Sequence, residues 1–419
     1  MQRLTGLGVA LAAAGTLAAA GPAASAYADP FGPQTGGPHA VGQQGFGQQG
    51  FGQQGIGQQG IGQQGFGQQP FGAGLNHVVF VQNDGLQGNE VIAYRRSDDG
   101  ALTQVGAYPT GGVGGALEGS VVDHTASQNS LTYDAAENLL FAVNAGSNTV
   151  SAFSVDGDRL KLDQVVGSGG RFPVSVATDG STAFVLNAEE GGSIQGYRIS
   201  RGGLVAIPGE NRALGLSVDA PAGEQFTHTP GDIAFSPDGS QLIVTTKAAG
   251  QSIEVFSNPV TDLSAKPVVD SLPGEVPFAV AFDSQGRLLL TETGPDVLGS
   301  FVLNRNGTIS PLDEIATGGL ATCWVTGVEN RFFFTSNAES ATLTGFAAGF
   351  GGQPPLTKLT TTSTSPGTVD AASVGNFLYV QGGAEGTVDE FEVQGNGSLR
   401  SLGSVLVPNA VAGEGIVAG

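Results

Sequence analysis

Apolar stretches of four or five residues recur from His77 onward, each broken by a short polar or glycine-rich turn. Runs this brief match strands better than helices of ordinary length. One unit reads as an apolar strand, a small-residue turn, a second strand ending near an aromatic, a Gly/Asp/Asn turn, and a third strand beginning around Leu or Ile. Leu139-Leu140-Phe141-Ala142-Val143, Asn144-Ala145-Gly146-Ser147 and Thr149 to Val155 spell one unit. Arg331 to Thr335, Asn337-Ala338 and Thr342 to Phe346 spell another. The aromatic sets the register, at Tyr94, Phe153, Tyr197, Phe256, Phe301, Phe346 and Phe391, with spacings of 59, 44, 59, 45, 45 and 45 residues. A period near 45 is that of one four-stranded propeller blade. The two long spacings predict loop insertions at 109–127 and 205–229.

A further short strand lies just before each apolar one: Leu131-Thr132-Tyr133, Val174 to Ala177, Ile233-Ala234-Phe235, Phe278 to Phe282, Trp324 to Thr326 and Val369 to Ala372. The first unit has none. Gly413-Glu414-Gly415-Ile416-Val417-Ala418 resembles the other six, and pairing it with the first unit removes an open sheet edge. The pattern predicts an all-β chain: a seven-bladed β-propeller of four-stranded blades over 75–419, the ring closed by the C-terminal strand.

The N-terminus reads differently. Arg3, the apolar stretch Leu7 to Ala20 and the small residues Ala26-Tyr27-Ala28 before Asp29 form a signal-peptide pattern over 1–28, with Ala24-Ser25-Ala26 a second cleavage site. From Val41 a five-residue unit repeats, one apolar residue followed by Gly-Gln-Gln-Gly. Period five suits neither helix nor strand, so 29–74 is read as a disordered Gln/Gly-rich linker. Its regular aromatics also suit weak self-association or cell-surface attachment. No apolar stretch is long enough for a transmembrane segment. The expected location is secreted and extracellular.

Charge narrows the partners. Sixteen Lys+Arg against 37 Asp+Glu give a net charge of −21, which argues against nucleic acid. The single cysteine, Cys323, allows no intramolecular disulfide and reads as a small buried apolar group. No histidine spacing suits zinc and no loop carries a calcium motif. Neither a metal nor an organic cofactor is expected.

In each blade the turn after the second strand and the connection into the next inner strand share one face. The turns carry Asn83, Asn144, Asn187, Lys247 and Asn337. Both insertions belong to the connections and are expected over the tunnel mouth, a common ligand site for such a ring. Glu118 and His124 lie in the first insertion and His228 ends the second; Arg171 precedes the third inner strand; Asp232, Glu275 and Glu414 start others. His77 falls on the opposite face. Hydrolysis of an ester needs a base to activate water and a cation or amide donor for the carbonyl oxygen. Glu118 or His124 is the candidate base, Arg171 or Lys247 the candidate oxyanion holder, and His228, Asn144, Asn187 and Glu414 are candidate substrate contacts. For the repeated Asn, bonding of the turn backbone is the competing reading.

The Asn-Ala-x-x-x-Thr-Val-x-x-Phe repeat (Asn144 to Phe153) and Phe235-Ser236-Pro237-Asp238-Gly239 resemble the seven-bladed β-propeller lactonase family, which includes a bacterial type of 6-phosphogluconolactonase and fungal muconate-lactonising enzymes. The resemblance runs through all seven blades and is nearest to secreted actinobacterial members. It implies a lactone hydrolase without metal or organic cofactor, acting on a sugar-type lactone or small ester at the tunnel mouth. Cytosolic members often carry His-x-His before the Pro-Asp-Gly turn and Pro-Arg-His at an inner-strand start. Here those places read Thr229-Pro230-Gly231, with His228 out of register by one, and Pro277-Phe278-Ala279. The site is therefore expected to have moved along the rim, and an exported chain would not meet cytosolic 6-phosphogluconolactone. The alternative is a non-catalytic extracellular propeller that binds a glycan, peptide or protein. A base and an oxyanion donor converging on one cavity would favour the enzyme; charges scattered over an open rim would favour binding.

Overall fold

Tight turns between short apolar runs reverse the chain every few residues, so each unit folds on itself as an antiparallel sheet. The computed structural model describes residues 75–200 and 203–419; the signal-peptide (1–28) and linker (29–74) segments lie outside the described residues. Seven four-stranded sheets form the blades. From the inner strand outward, blade 1 is Ile416–Ala418, Val78–Gln82, Glu90–Arg96 and Leu102–Pro109, and blade 2 is Leu131–Asp134, Leu139–Asn144, Thr149–Asp156 and Arg159–Gly167. Blade 3 is Pro173–Thr178, Thr182–Asn187, Ser193–Ser200 and Gly203–Ala213, and blade 4 is Ile233–Phe235, Gln241–Thr245, Ser252–Ser257 and Val268–Ser271. Blades 5, 6 and 7 start with inner strands Pro277–Phe282, Thr322–Val328 and Thr368–Val374. The seven-bladed all-β propeller read from the repeat is the architecture observed.

The C-terminal strand closes the ring as expected, pairing Val79 with Ala418, Phe80 with Val417 and Val81 with Ile416. Deleting residues 416–419 should therefore leave the edge of Val78–Gln82 unpaired. The expected result is a melting temperature lower by ten degrees or so and concentration-dependent association on size exclusion, about what losing a sheet ladder does to an exposed apolar edge. An unchanged melt would remove the closing role from this strand.

The seven register aromatics are all buried and pack between adjacent blades. In six of the seven blades the pairing of the third and outer strands shifts immediately before that aromatic. A bulge there increases local twist and turns the ring into the interblade core. Where the aromatic is tyrosine its hydroxyl is also used. Tyr94 donates to the Leu406 carbonyl at 2.8 Å and Tyr197 to that of Gly167 at 2.6 Å, each at the end of the preceding blade's outer strand.

The structure shifts the predicted insertion boundaries, and the first insertion is 110–130. Residues 205–213 belong to the outer strand of blade 3, and the second insertion is 214–232. Ile207 to Glu210 bulge out opposite the single residue Gly196, which breaks the strand's alternation in the sequence. Cys323 is buried in the inner strand of blade 6, and burial pushes its thiol up to about 12, far from a reactive thiolate.

Candidate active site

The first insertion does not stand over the tunnel mouth; it enters it. The Val176 amide of blade 3 donates to the Asn129 carbonyl at 3.0 Å, and Gln128 N donates to Gly231 O beside blade 4 at 3.1 Å. Ser127 Oγ donates to Val174 O at 2.8 Å, and Trp324 Nε1 of blade 6 donates to Ser127 O at 2.5 Å. Gln128 Oε1 accepts from Val325 N at 3.0 Å, and His124 N donates to Ala412 O, next to blade 1, at 2.8 Å. Residues 123–129 thus touch elements of blades 1, 3, 4 and 6 at once and occupy the ring's axis. A polar Ser-Gln-Asn-Ser run can sit there because backbone groups of the inner strands and of Glu414, with the Asp232 carboxylate, satisfy its side chains.

Lys247 fixes both insertions from the buried side. It begins a one-turn helix, Lys247–Gly250, after the second strand of blade 4 and is fully buried. Its Nζ donates to Ala126 O of the first insertion at 2.7 Å and to Phe226 O of the second at 2.6 Å, and lies 5.3 Å from the Phe278 ring centre. Burial pulls the ammonium down to about 7, while the nearby Asp123 charge favours the protonated form. Glu118 joins the insertions on the exposed side. Its Oε1 accepts from Gly223 N at 3.1 Å, its amide donates to Gln225 Oε1 at 2.8 Å, and its carbonyl accepts from Phe226 N at 3.3 Å. The loops approach so closely at this clasp that a side chain on Gly119, at φ +85°, would drive into the Gly223 carbonyl.

Carboxyl groups gather around the plug. Asp84 Oδ2 accepts from Glu414 N at 2.9 Å, Asp123 accepts from the amides of Thr125 at 2.8 Å and Ser127 at 2.9 Å, and Glu414 hydrogen-bonds Asp370. Burial raises Asp84 and Asp370 to about 7. Glu414 is raised well above the carboxylate range by burial and then by the charges of Asp370, Asp123 and Asp84. Asp232 accepts from Asn129 Nδ2 and Val280 N, each at 3.0 Å, and burial raises it to about 6. Among the described residues no three or more His, Cys, Asp or Glu side chains are arranged to hold a metal ion. These acids tie the plug to the inner strands.

An open cavity of about 350 Å³ lies beside the axis, between blade 3 and the second insertion. Arg171 and His228 both line it, with Glu189, Glu190 and Gln225. Arg171 Nε lies 3.5 Å from Glu189 Oε2 and 3.3 Å from Glu190 Oε1. The turn bearing these acids is fixed by Glu189 N donating to Arg171 O, Gly192 N to Glu189 O and Leu216 N to Gly191 O. His228 ends a one-turn 3-10 helix, Gln225–Thr227, and its Nδ1 lies 3.0 Å from Glu224 O and 2.8 Å from Thr227 Oγ1. A carbonyl only accepts, and Thr227 Oγ1 donates to the same carbonyl at 2.9 Å, so the hydrogen-bond network assigns the hydrogen to Nδ1. In the neutral ring that leaves the Nε2 lone pair available.

The structure therefore brings Arg171 and His228 to one cavity and distributes the other candidates elsewhere. Glu118 is exposed and held in the interloop clasp, linked to the cavity through Gln225. His124 is half-buried near Asp84 and Ala412, and burial holds its imidazole below the usual value. Lys247 and Glu414 are enclosed beneath and beside the plug. Asn144 is fully buried; it accepts from Asn89 Nδ2 and Thr110 Oγ1 and donates to Thr149 Oγ1 and Ser151 Oγ. Asn187, also buried, donates to Ser168 O at 3.2 Å. Glu189, Glu190 and Gln225 were not singled out by sequence; the signal for the acids was a Glu-Glu pair directly after the Asn187-Ala188 turn.

The profile of the family described as lactonase, 7-bladed beta-propeller matches residues 114–413. No curated protein matches the chain by sequence. Among solved structures, the periplasmic gluconolactonase of Pseudomonas aeruginosa is 19% identical with a TM-score of 0.65, over 81% of this chain and 98% of that one. A proposed 6-phosphogluconolactonase of Bacteroides fragilis is 19% identical with a TM-score of 0.63, over 80% and 96%. At such identities these likenesses speak for the fold alone. The family match covers most of the ring, from the first insertion to the start of the closing strand, and the chain belongs to the seven-bladed β-propeller lactonase family.

Proposed function

We propose that the chain hydrolyses the ester bond of a small lactone in the cavity beneath the second insertion. The observation that carries this reading is the convergence of Arg171 with a tautomer-fixed His228 in one cavity, in a chain of the lactonase family. His228 Nε2 takes a proton from water as the oxygen attacks the lactone carbonyl. The Arg171 guanidinium stabilises the negative charge developing on the carbonyl oxygen. The ring C–O bond then breaks, and the imidazolium returns its proton to the departing ring oxygen, giving the hydroxy acid. Glu189 and Glu190 hold the guanidinium in place. Candidate charges meeting at one cavity support catalysis over a broad binding rim. Export through the N-terminal signal sequence would place this activity outside the cell.

The test is pH-stat hydrolysis of a panel of aldonolactones and simple γ- and δ-lactones. Wild-type protein should turn over at least one of them. His228→Ala should lose ~10²–10⁴ in rate, the usual contribution of a positioned base, and regain part of it with added imidazole. Absence of turnover by the wild type, or full activity in His228→Ala, would overturn the reading.

A further inference from the structure

We propose that Glu189 and Glu190 make the cavity selective for uncharged lactones bearing an apolar substituent, and against phosphorylated ones. The inference rests on the preceding reading and concerns the substrate class of the same site. A site built for a phosphate dianion offers a guanidinium whose fork is free to donate to it, or several cations together. Here Arg171 already faces two carboxylates, at 3.5 and 3.3 Å from its Nε. With one cation and two anions lining it, the cavity is net negative, within a chain of net charge −21. Glu189 is also within 3.5 Å of Gln225 Nε2, and the turn that carries both acids is fixed by the backbone bonds described above, which keeps the Glu189 carboxylate beside the guanidinium. A phosphate entering this space meets two carboxylates offset by a single guanidinium, whereas a neutral carbonyl oxygen needs only one donor as charge develops.

The rest of the wall agrees. Ala188, Leu216, Val218 and Ala220 give the cavity an apolar side, and Val218 is 72% exposed at its edge. An alkyl or deoxy substituent would cover that surface and gain the usual benefit of removing apolar area from water.

The experiment compares kcat/KM for glucono-δ-lactone, its 6-phosphate and an alkyl-substituted δ-lactone, in the wild type and in Glu189→Gln/Glu190→Gln. Glutamine keeps the shape and the acceptor oxygen while removing the charge. The wild type should prefer both uncharged lactones over the phosphate by ~10-fold or more at low salt, and added salt should narrow the gap because charge repulsion is screened. The double variant should move the phosphorylated-to-uncharged ratio toward phosphate by ~10-fold, the scale of a close like-charge effect. Equal or better use of the phosphate by the wild type, or an unmoved ratio in the double variant, would overturn the inference while leaving lactone hydrolysis standing. A wild type inactive on all three, and on the wider panel, would overturn both.

Discussion

Lys247→Met is expected to destabilise the folded chain by ~3–5 kcal/mol, the scale seen when one partner of a buried charged network is removed. Methionine fills most of the lysine's volume, so the loss comes from polar groups. Ala126 O and Phe226 O would lose their Nζ donor, and Asp123 would lose a neighbouring cation. These carbonyls belong to different insertions, so the damage should be spatially specific. Hydrogen exchange should rise in 110–130 and 214–232, with the outer strands little affected. The checks are the melting temperature and exchange mapped by peptide. A variant that melts like the wild type, with both insertions still protected, would show that the loops are held by something other than this lysine.

The second large effect concerns pH. Asp84 and Asp370 are raised to about 7, Asp232 to about 6, Glu254 to about 7 and Glu292 to about 8, burial being the leading cause in each. The unfolded chain releases these protons near pH 4, while the folded chain holds them until its own higher pKa. Between those values the folded state binds more protons, so stability falls as pH rises from about 4 to about 8 and then levels off. Each raised unit corresponds to about 1.4 kcal/mol. Lys247 acts in the other direction, but only above about 7, where the folded chain has lost a proton the unfolded chain still carries. Asp99, which is exposed, and Asp163, which is partly buried, are held low chiefly by side-chain hydrogen bonds; they matter only below about 4, where the stability they give is lost. The protein should therefore melt at least ~5 °C higher at pH 5 than at pH 7.5. Asp370→Asn, which keeps the acceptor for Ala371 N, should raise stability at pH 7.5 and flatten this slope. A melt that rises between pH 5 and 7.5 would contradict the assignment of neutral buried acids around the plug.

The ring was readable in the sequence because its signals are local and repeated. One buried aromatic per blade, a turn after each second strand and a six-residue closing segment need no knowledge of distant contacts. Burial of particular polar residues was not readable. Lys247 follows a second strand as Asn144 and Asn187 do, and only the folded chain shows two insertions resting on its ammonium. The entry of residues 123–129 into the axis was hidden for the same reason, since its partners at Val174, Gly231 and Trp324 lie about 50 to 200 residues away in sequence. Asn144 illustrates the competing reading at work: Thr and Ser at the next strand saturate it, and Asn337 repeats the arrangement with Thr322, Thr342 and Thr344. Arg171 and His228 could be named from position, but their meeting required the second insertion to fold back over blade 3.

The most direct measurement is lactone turnover by two double variants beside the wild type: Arg171→Ala/His228→Ala and Glu118→Gln/His124→Ala. The first removes both groups placed in the cavity; the second removes the charge of the clasp and an imidazole outside the cavity. The first should lose turnover to near background while the second keeps most of it. Turnover lost in the second and kept in the first would place the chemistry outside the cavity that Arg171 and His228 line and would rule out these two residues as its catalysts.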